Sequence, residues 1–357
     1  LPLIVVVGSN GKPTVKEMTA AALRAHHGDE RVLATSGNLN NAIGLPLTLL
    51  RLRADHRVAV VEVGMNHRGE TAELCAIARP TIVVVNNAQR EHQEFMAGVA
   101  EVAAEHADAV AALPRGGVAV LNADDAGCAV WREAAARAGA TVRTFGLGAP
   151  CDVSAAIGPA DPGSTLALST PSGRATVHLA VPGEPMARNA LAAVATALAA
   201  GASLDAVVRG LEAFRPVAGR LATTRARSGA VVIDDTYNAN PDSVRAAIDV
   251  LSRERGRRWL VLGDMGEVGS QGPAWHREVG AYARERGIER LDATGELARG
   301  AADAFGAGAN WHADVDALVA AVAPGATAGT TILVKGSRFM RMERVVASLT
   351  GAVQGGH

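Results

Sequence analysis

The sequence predicts an α/β protein of two domains, each built on a mostly parallel β-sheet. The first observation is a set of mostly apolar runs rich in β-branched residues, at residues 3–7 (without a break), 58–63 and 81–85, which are typical of strands buried on both faces. The second is that segments with helical periodicity alternate with these runs, as in βα units. The third is a stretch with proline and glycine at residues 214–220, which separates two such patterns.

The composition is that of a globular protein long enough for two cores. The chain has 357 residues, 48% of them hydrophobic, and a formal net charge of −1. This charge argues against nucleic-acid binding through bulk positive charge, and we see no apolar stretch that predicts a membrane span or a signal peptide. The three cysteines are scattered without metal-ligand spacing, which is typical of reduced thiols in a cytoplasmic protein.

The first strand runs directly into a glycine loop that carries a lysine, and a helical pattern follows from Val15. The loop consists of Gly8, Ser9, Asn10, Gly11, Lys12, Pro13 and Thr14. Backbone N–H groups freed by glycines, a helix N-terminus and a lysine together favour a nucleotide phosphate, so this stretch predicts a phosphate-binding loop. The alternative is an ordinary strand-to-helix turn with a surface lysine.

Pro13 departs from the usual pattern of such loops. The residue after the lysine is normally Ser or Thr, whose hydroxyl binds Mg²⁺. Proline suits the first turn of a helix, so the fold is expected to tolerate it. The nearest hydroxyl is that of Thr14, which points about 100° further round the helix.

Polar residues at the ends of the following strands are the next candidates. Glu62 lies in an apolar strand, where a carboxylate is costly unless it is paired or binds a cation, so we expect either a metal ligand or a salt bridge. Asn86, Asn87 and then His92 follow the strand at residues 81–85, at the edge where open α/β sheets bind ligands. An ordinary loop histidine is the alternative for His92.

The rest of the first domain is expected to mix helices with antiparallel strands. Residues 97–113 predict a helix whose stripe of Glu101, Glu105 and Asp108 faces solvent. A strand is expected at residues 118–122, an alanine-rich helix at 189–201, and antiparallel strands within 140–182, where polar and apolar residues alternate. The residues 141–145 are included in this antiparallel prediction.

A second α/β pattern follows the separating stretch. It predicts strands at residues 231–235, 259–263 and 331–334, and helices at 243–253, 275–286 and 339–349. The alternation indicates a smaller, doubly wound (Rossmann-like) domain at residues 217–357, after a central nucleotide-binding domain of the phosphate-loop type at 1–216.

Several separate stretches resemble the Mur ligase superfamily and, within it, the family that adds D-alanyl-D-alanine to UDP-N-acetylmuramoyl tripeptide. In the first half they are Gly-Ser-Asn-Gly-Lys at 8–12, Val-Lys-Glu-Met at 15–18, Gly-Asn-Leu-Asn-Asn at 37–41 and Glu-Val-Gly-Met-Asn-His-Arg-Gly-Glu at 62–70. In the second half they are Asp-Asp-Thr-Tyr-Asn-Ala-Asn-Pro-Asp-Ser at 234–243, Leu-Gly-Asp-Met at 262–265 and Lys-Gly-Ser-Arg at 335–338. The resemblance covers essentially the whole chain and implies that the family's uridine-nucleotide domain is missing upstream, where the sequence begins abruptly without a methionine.

The resemblance implies an ATP-dependent amide ligase of peptidoglycan precursor synthesis, which forms an acyl phosphate and uses Mg²⁺. It is expected to act on small-molecule substrates as a cytoplasmic monomer. By motif match, nucleotide binding falls to Gly8, Ser9, Asn10, Gly11, Lys12, Pro13, Thr14, Asn86, Asn87, Asn189, Arg220 and Asp235, and metal binding to Glu62, His92, His106 and Thr14. Lys12, His92 and Arg220 are the expected catalytic residues, and Asn238, Asn240, Lys335, Ser337 and Arg338 the expected substrate contacts.

The chain differs from the family pattern at three places. Pro13 replaces the hydroxyl residue, His106 stands where the family usually has a carbamylated lysine, and Pro185 lies in a stretch that lacks the family's histidine and asparagine. These differences leave open a non-catalytic, nucleotide-binding homologue. Another ligase of the superfamily, such as a folylpolyglutamate synthase, and a simple ATPase module are further alternatives.

Overall fold

The computed structural model describes residues 1–160 and 163–351, and the chain divides into two compact units. The first unit is Leu1–Arg215 and the second begins at Pro216. The division falls within the stretch at residues 214–220 that separates the two α/β patterns of the sequence. The tail from residue 352 onward lies outside the described residues.

The first unit alternates strands and helices from its first residues. Its strands are β1 (Leu3–Val7), β2 (Val32–Ala34), β3 (Val58–Glu62), β4 (Ile82–Val85), β5 (Val118–Asn122), β6 (Thr141–Phe145), β7 (Ser154–Pro159), β8 (Ser164–Thr170) and β9 (Gly173–Leu179). Its helices are α1 (Lys12–His27), α2 (Gly44–Leu49), α3 (Glu70–Ala78), α4 (Val99–Ala111), α5 (Cys128–Ala138), α6 (Glu184–Ala199) and α7 (Leu204–Ala213).

The main sheet of this unit has six parallel strands in the order β2-β3-β1-β4-β5-β6. Strands β1, β3 and β4 are buried along their whole length, because helices cover both faces of the sheet. This confirms the predicted α/β fold with a mostly parallel central sheet. Since the strands are parallel, the loops after β1, β3 and β4 emerge at the same edge and bring their polar residues together.

The prediction for residues 141–145 was wrong in its pairing. These residues form β6, which pairs with β5 in parallel at the edge of the main sheet. An edge strand of a parallel sheet is exposed on part of its surface, so it alternates polar and apolar residues much as an antiparallel strand does. The antiparallel prediction is correct for the later residues, where β7, β8 and β9 form a separate three-stranded sheet.

The solvent-facing stripe predicted on the 97–113 helix was wrong for one of its members. Glu105 lies in α4 with only 4% of its surface exposed. Its carboxylate accepts hydrogen bonds of 2.9 Å from the backbone N–H groups of Gly69 and Thr71 at the start of α3. A buried carboxylate is stable here because it satisfies the free N–H groups of a helix N-terminus and its partial positive charge.

The second unit has its own six-stranded sheet. Its strands are β10 (Ala222–Arg225), β11 (Val231–Asp235), β12 (Arg257–Leu262), β13 (Arg290–Thr294), β14 (Ala309–His312) and β15 (Thr330–Lys335). Its helices are α8 (Pro241–Ser252), α9 (Gly272–Glu285), α10 (Ala298–Phe305), α11 (Val315–Val322) and α12 (Glu343–Thr350). The sequence interpretation identified β11, α8, β12, α9, β15 and α12 within a few residues and missed the other elements.

The strand order of the second sheet is β10-β11-β15-β12-β13-β14. All neighbours are parallel except β10, which pairs with β11 in antiparallel at the edge. The carboxyl ends of β11, β12 and β15 therefore lie side by side. In the described part of the chain, none of the helices combines the length and apolarity that a membrane crossing requires.

Candidate active site

The glycine loop of the first unit ends where helix α1 begins, at Lys12. Gly11 caps the helix with φ of +85°, in the left-handed region that favours glycine. Pro13 occupies the first turn, where its missing N–H costs no helical hydrogen bond. The free N–H groups of this turn and the dipole of α1 make the loop a site for an anion.

Side chains that follow β4 hold this loop in place. Asn87 accepts a hydrogen bond of 2.8 Å from the N–H of Asn10 and returns one of 2.9 Å to its carbonyl oxygen. Asn86 donates to the same carbonyl oxygen at 2.7 Å. The hydroxyl of Ser9 accepts a hydrogen bond of 2.8 Å from the N–H of Gln89. The structure thus brings Asn86 and Asn87 to the glycine loop, while their contact with a nucleotide stays a prediction.

Asn189 joins the same group from helix α6. The predicted helix at 189–201 in fact begins five residues earlier, at Glu184, so Asn189 lies inside it. Its Oδ1 accepts a hydrogen bond of 2.9 Å from Nδ2 of Asn86, and its side chain lies beside Gly11. Asn189 therefore contacts the phosphate loop and the end of β4 at once.

Lys12 points back over its own loop and meets a carboxylate. Its ammonium group donates to the carbonyl oxygens of Gly8 at 2.5 Å and Ser9 at 3.3 Å, and lies 3.4 Å from Oε2 of Glu91. Burial alone would raise the pKa of Glu91, but the Lys12 charge and the contact with His106 hold that pKa at about 2. Glu91 is therefore a buried, ionised partner of the loop lysine.

Both predicted metal-binding histidines contact Glu91. His92 Nε2 lies 3.7 Å from its Oε2, and His106 Nε2 lies 3.5 Å from its Oε1. His106 is 1% exposed, and neither of its ring nitrogens has a hydrogen-bond partner among the described residues. The structure thus assembles Lys12, His92 and His106 around one acidic side chain.

Glu62 stands at the end of β3 with one oxygen fixed and one free. Asn40 donates a hydrogen bond of 2.7 Å to its Oε1, while its Oε2 is buried without a hydrogen-bond partner in the described part of the chain. The Glu62 N–H donates to the hydroxyl of Thr35, and buried Lys16 donates to the Thr35 carbonyl at 2.7 Å. The carboxylate is therefore held in one orientation with an unused oxygen.

The residues expected to bind Mg²⁺ differ in what they offer to a metal ion. No group of three or more His, Cys, Asp or Glu side chains in the described ranges is arranged to hold a metal ion. Mg²⁺, however, is usually bound by one or two carboxylates together with substrate phosphates and waters. The unused, buried oxygen of Glu62 fits such a site, and Thr14, 3% exposed, is the hydroxyl residue next to Pro13.

The second unit has a polar group at the carboxyl ends of β11 and β15. Lys335 is buried and donates to Asp235 Oδ2 at 2.5 Å and to the carbonyl oxygen of Asn238 at 2.9 Å. Asp235 Oδ1 also accepts a hydrogen bond of 3.1 Å from the N–H of Leu221. The guanidinium of Arg220 lies over the ring of Tyr237, 4.0 Å from its centroid.

The remaining predicted substrate contacts differ in their hydrogen bonds within the protein and in how exposed they are. Ser337 is buried, accepts a hydrogen bond of 2.7 Å from Gly266 N–H and donates to Ala239. Asn240 caps helix α8 by accepting a hydrogen bond from the N–H of Ser243. Arg338 has a side chain that is 53% exposed. Of these three residues Arg338 is the most exposed, and Asn238, whose Oδ1 accepts a hydrogen bond of 2.9 Å from Ala239 N–H, is exposed as well.

Sequence reasoning missed Glu91, Asn40 and Tyr237 as members of these groups. Glu91 directly precedes His92, and a carboxylate next to a candidate ligand at the end of a strand was the available signal. Asn40 lies in an amide-rich loop whose functional members could not be separated from its turn residues. Tyr237 was visible only as part of a motif.

The chain is similar to known proteins along most of its length. Sequence profiles of the Mur ligase middle domain and of the Mur ligase, glutamate ligase domain match residues 6–197 and 219–338. The UDP-N-acetylmuramoyl-tripeptide–D-alanyl-D-alanine ligase of Escherichia coli strain K12 is 39% identical over 350 residues, covering 97% of this chain and 76% of that protein. The ligase of the same name from Haemophilus influenzae is 37% identical over 358 residues, covering 98% of this chain and 77% of that protein.

Solved structures agree with the sequence matches. Crystal structure I of MurF from Acinetobacter baumannii aligns with a TM-score of 0.90 at 34% identity, covering 98% of this chain and 77% of that chain. The profile matches and this alignment together cover both units. The chain belongs to the Mur ligase family, among the UDP-N-acetylmuramoyl-tripeptide–D-alanyl-D-alanine ligases, which confirms the resemblance seen in its motifs.

Proposed function

We propose that this chain joins UDP-N-acetylmuramoyl tripeptide to D-alanyl-D-alanine in peptidoglycan precursor synthesis, with cleavage of ATP to ADP and phosphate. The observation that carries this proposal is the phosphate loop of the first unit. Its backbone is held by Asn86 and Asn87, and its lysine is held by carbonyl oxygens of the same loop. The family membership supplies the reaction class.

The reaction needs the substrate carboxylate to be activated before the amine can attack. Transfer of the terminal phosphoryl group of ATP gives an acyl phosphate, and the amine of the dipeptide then displaces phosphate. Charge on the phosphoryl oxygens has to be neutralised in the first step. In this chain we assign this task to the N–H groups at the start of α1 and to the Lys12 ammonium.

Asn86, Asn87, Asn189 and Gly11 keep the loop in its anion-binding shape. The two asparagines after β4 bind the Asn10 backbone on one side, and Asn189 packs against Gly11 on the other. Because these bonds are within the protein, the N–H groups are oriented before the nucleotide arrives. Such preorganisation avoids a reorganisation cost at the moment of reaction.

Mg²⁺ is proposed as the metal, and it would supply further neutralisation of phosphate charge. The buried, unused oxygen of Glu62 is the best placed ligand in the described residues, with Asn40 fixing the other oxygen. We propose that His92, His106 and Thr14 are the other protein ligands of this metal ion. The chain's own task here is to keep the Glu62 carboxylate oriented and free of other partners.

In the second unit we propose that Arg220 and Asp235 contact the nucleotide, and that Asn238, Asn240, Lys335, Ser337 and Arg338 form the substrate end. Lys335 keeps Asp235 and the Asn238 backbone in fixed positions. Arg220 is oriented by its stacking on Tyr237. We further propose that the protein acts as a monomer in the cytoplasm.

Phosphate release by the full-length protein tests this function. ATP, Mg²⁺, UDP-N-acetylmuramoyl tripeptide and D-alanyl-D-alanine should together give phosphate and the pentapeptide product, identified by mass spectrometry. Omission of the dipeptide should prevent formation of the product. Lys12→Ala should reduce the rate by about a hundredfold or more, since it removes a charge that acts on the transferred phosphoryl group. Absence of product with all four components would overturn the proposal.

A further inference from the structure

Lysine is rare in this chain, and each lysine side chain is at least largely buried. The sequence has three lysines, Lys12, Lys16 and Lys335. Their side chains are 14%, 2% and 3% exposed, and each contacts an oxygen of the protein. Since arginine supplies the other fixed cations, a lysine in this protein marks a place where a compact ammonium group is required.

Lys12 is held from three directions. Two partners are the backbone carbonyl oxygens of Gly8 and Ser9 in the same loop. Because they are backbone atoms, they do not depend on the surrounding side chains. The third partner, Glu91, comes from the loop after β4 and is 79 positions away in sequence. A flexible four-carbon stem needs such a partner to keep its ammonium group in one position.

Glu91 is itself buried, and its second oxygen lies against helix α4. It is 6% exposed, and its second oxygen faces Nε2 of buried His106 in helix α4 at 3.5 Å. The backbone N–H of Glu91 donates to the carbonyl oxygen of Gln89, which also receives a hydrogen bond from the Ser9 hydroxyl. Glu91 therefore links the loop lysine to the body of the first unit.

We propose that Glu91 is a positioning residue for phosphoryl transfer, whose carboxylate holds the Lys12 ammonium beside the loop so that it meets the transferred phosphoryl group. This proposal rests on the proposed function for the reaction that it serves. Glu91 itself touches Lys12 and not the reacting atoms. Its role is to reduce the positions that the ammonium group can occupy.

The position of Glu91 predicts which kinetic constant it controls. Ground-state binding of the nucleotide depends on the N–H groups of the loop, which Asn86 and Asn87 hold without help from Glu91. A misplaced ammonium group would act mainly in the transition state, where charge moves onto the phosphoryl oxygens. Loss of Glu91 should therefore lower kcat and leave the KM for ATP nearly unchanged.

The first experiment measures kcat and KM for Glu91→Gln, Glu91→Asp and Glu94→Gln in the full-length protein. Glu91→Gln keeps the shape of the side chain, and we expect kcat to fall about tenfold or more with the KM for ATP within about threefold. Glu91→Asp keeps the charge with a shorter reach and should recover part of the loss. Glu94→Gln changes an exposed carboxylate of the same loop and should match the wild type.

A double-mutant cycle shows whether Glu91 acts through Lys12. In a Lys12→Arg background the further change Glu91→Gln should have much less effect on kcat than it has in the wild type. Equal effects in the two backgrounds would overturn the proposal. So would a raised KM for ATP with unchanged kcat in Glu91→Gln.

A second readout does not depend on turnover. The three lysines can be acetylated with N-acetoxysuccinimide and their rates followed by peptide mass spectrometry, with Lys335 as the internal reference. Lys12 should react several times faster in Glu91→Gln than in the wild type, because its ammonium group is no longer held.

The two readouts separate the proposals from each other. An inactive wild-type protein with faster Lys12 labelling in Glu91→Gln would overturn the proposed function and support the link between Glu91 and Lys12. An active wild type with unchanged kcat and unchanged labelling in Glu91→Gln would support the proposed function and overturn the positioning role of Glu91. If Glu91→Gln does not fold, as judged by circular dichroism, Glu91→Asp against Glu94→Asp carries the same comparison.

Discussion

Asn86 donates a hydrogen bond of 2.9 Å from Nδ2 to Oδ1 of Asn189, and these two side chains occupy the space beside Gly11. A β-carbon at Gly11 would lie 2.3 Å from that Asn189 oxygen and 2.8 Å from the Asn86 nitrogen. The first helix therefore requires glycine at its start for two separate reasons, the left-handed backbone and the absence of room.

Gly11→Ala should consequently weaken both the fold and nucleotide binding. The left-handed backbone and the collision should together lower the free energy of unfolding by about 1–3 kcal/mol, and displacement of Asn189 should disturb the loop. Urea denaturation and calorimetric titration with ATP measure the two effects. Gly69→Ala is the matched control, because Gly69 caps α3 with φ of +90° and a β-carbon there would meet nothing within 4 Å.

The control isolates the contribution of the packed asparagines. Gly69→Ala should lower stability through backbone strain alone and leave ATP affinity unchanged. If Gly11→Ala and Gly69→Ala cost the same stability and bind ATP equally well, Asn189 does not restrict the loop and its predicted nucleotide contact loses its structural support.

Asn40→Ala tests the orientation of Glu62. Asn40 is the donor to Glu62 Oε1, and without it both carboxylate oxygens would lack a fixed partner. We expect a loss of stability of about 1–3 kcal/mol from the unsatisfied carboxylate and weaker Mg²⁺-dependent nucleotide binding. Calorimetric titration of ATP with and without Mg²⁺ measures the second effect. Asn38→Ala, in an exposed position of the same loop, should change neither quantity.

Pro13→Thr tests whether the missing hydroxyl limits the metal site. Proline is tolerated by the fold at this position, and threonine would restore an oxygen ligand next to Lys12. We expect Mg²⁺ to strengthen ATP binding about tenfold more in Pro13→Thr than in the wild type, the effect of one added ligand worth about 1.4 kcal/mol. A change of less than about threefold, together with loss of the Mg²⁺ effect in Thr14→Val, would instead assign this role to Thr14.

The sequence predicted the strands that are completely buried, and it was misleading about strand pairing where a strand is only partly buried. The run at Leu3–Val7 and the glycine loop after it match β1 and the start of α1, because a fully buried parallel strand leaves an unbroken apolar run. At β6 the partial exposure of an edge strand produced alternation, and parallel pairing could not be distinguished from antiparallel pairing.

Contacts between distant residues account for the parts of the site that were not predicted. Glu91 and Lys12 are 79 positions apart, and Glu105 meets the N–H group of Gly69 36 positions away. In the sequence each of these carboxylates has the surroundings of an ordinary loop or helix surface. Only the order of the strands in the sheet places them next to a cation or a helix N-terminus, and periodicity does not give that order.

Stability should depend on pH through one buried histidine of the second unit. His276 is 0% exposed, its Nε2 accepts a hydrogen bond of 2.9 Å from Met265 N–H, and its Nδ1 lies 2.7 Å from the carbonyl oxygen of Gly272. This arrangement requires a neutral ring with the proton on Nδ1. Burial lowers the pKa of His276 below its usual 6.5, although the nearby Asp264 carboxylate opposes the shift.

The direction of this pH dependence follows from the number of protons that the folded and the unfolded states bind. When the pH falls below about 6.5, the histidine takes up a proton in the unfolded chain before it does so in the folded one. The free energy of unfolding should therefore be largest above pH 6.5 and should decrease below it, with a slope of at most about 1.4 kcal/mol per pH unit from this group. The decrease should end once the pH is below the lowered pKa of the folded state.

His276→Gln removes this titration and should flatten that part of the pH dependence. Urea denaturation at pH 7.5, 6.5 and 5.5 should show wild-type stability falling by about 1 kcal/mol more than that of the variant. His178→Gln is the control, because His178 is exposed and its loss should leave the wild-type slope unchanged. Parallel pH curves for the wild type and His276→Gln would show that His276 binds its proton equally in the folded and unfolded states, which is incompatible with a neutral ring held between Met265 and Gly272.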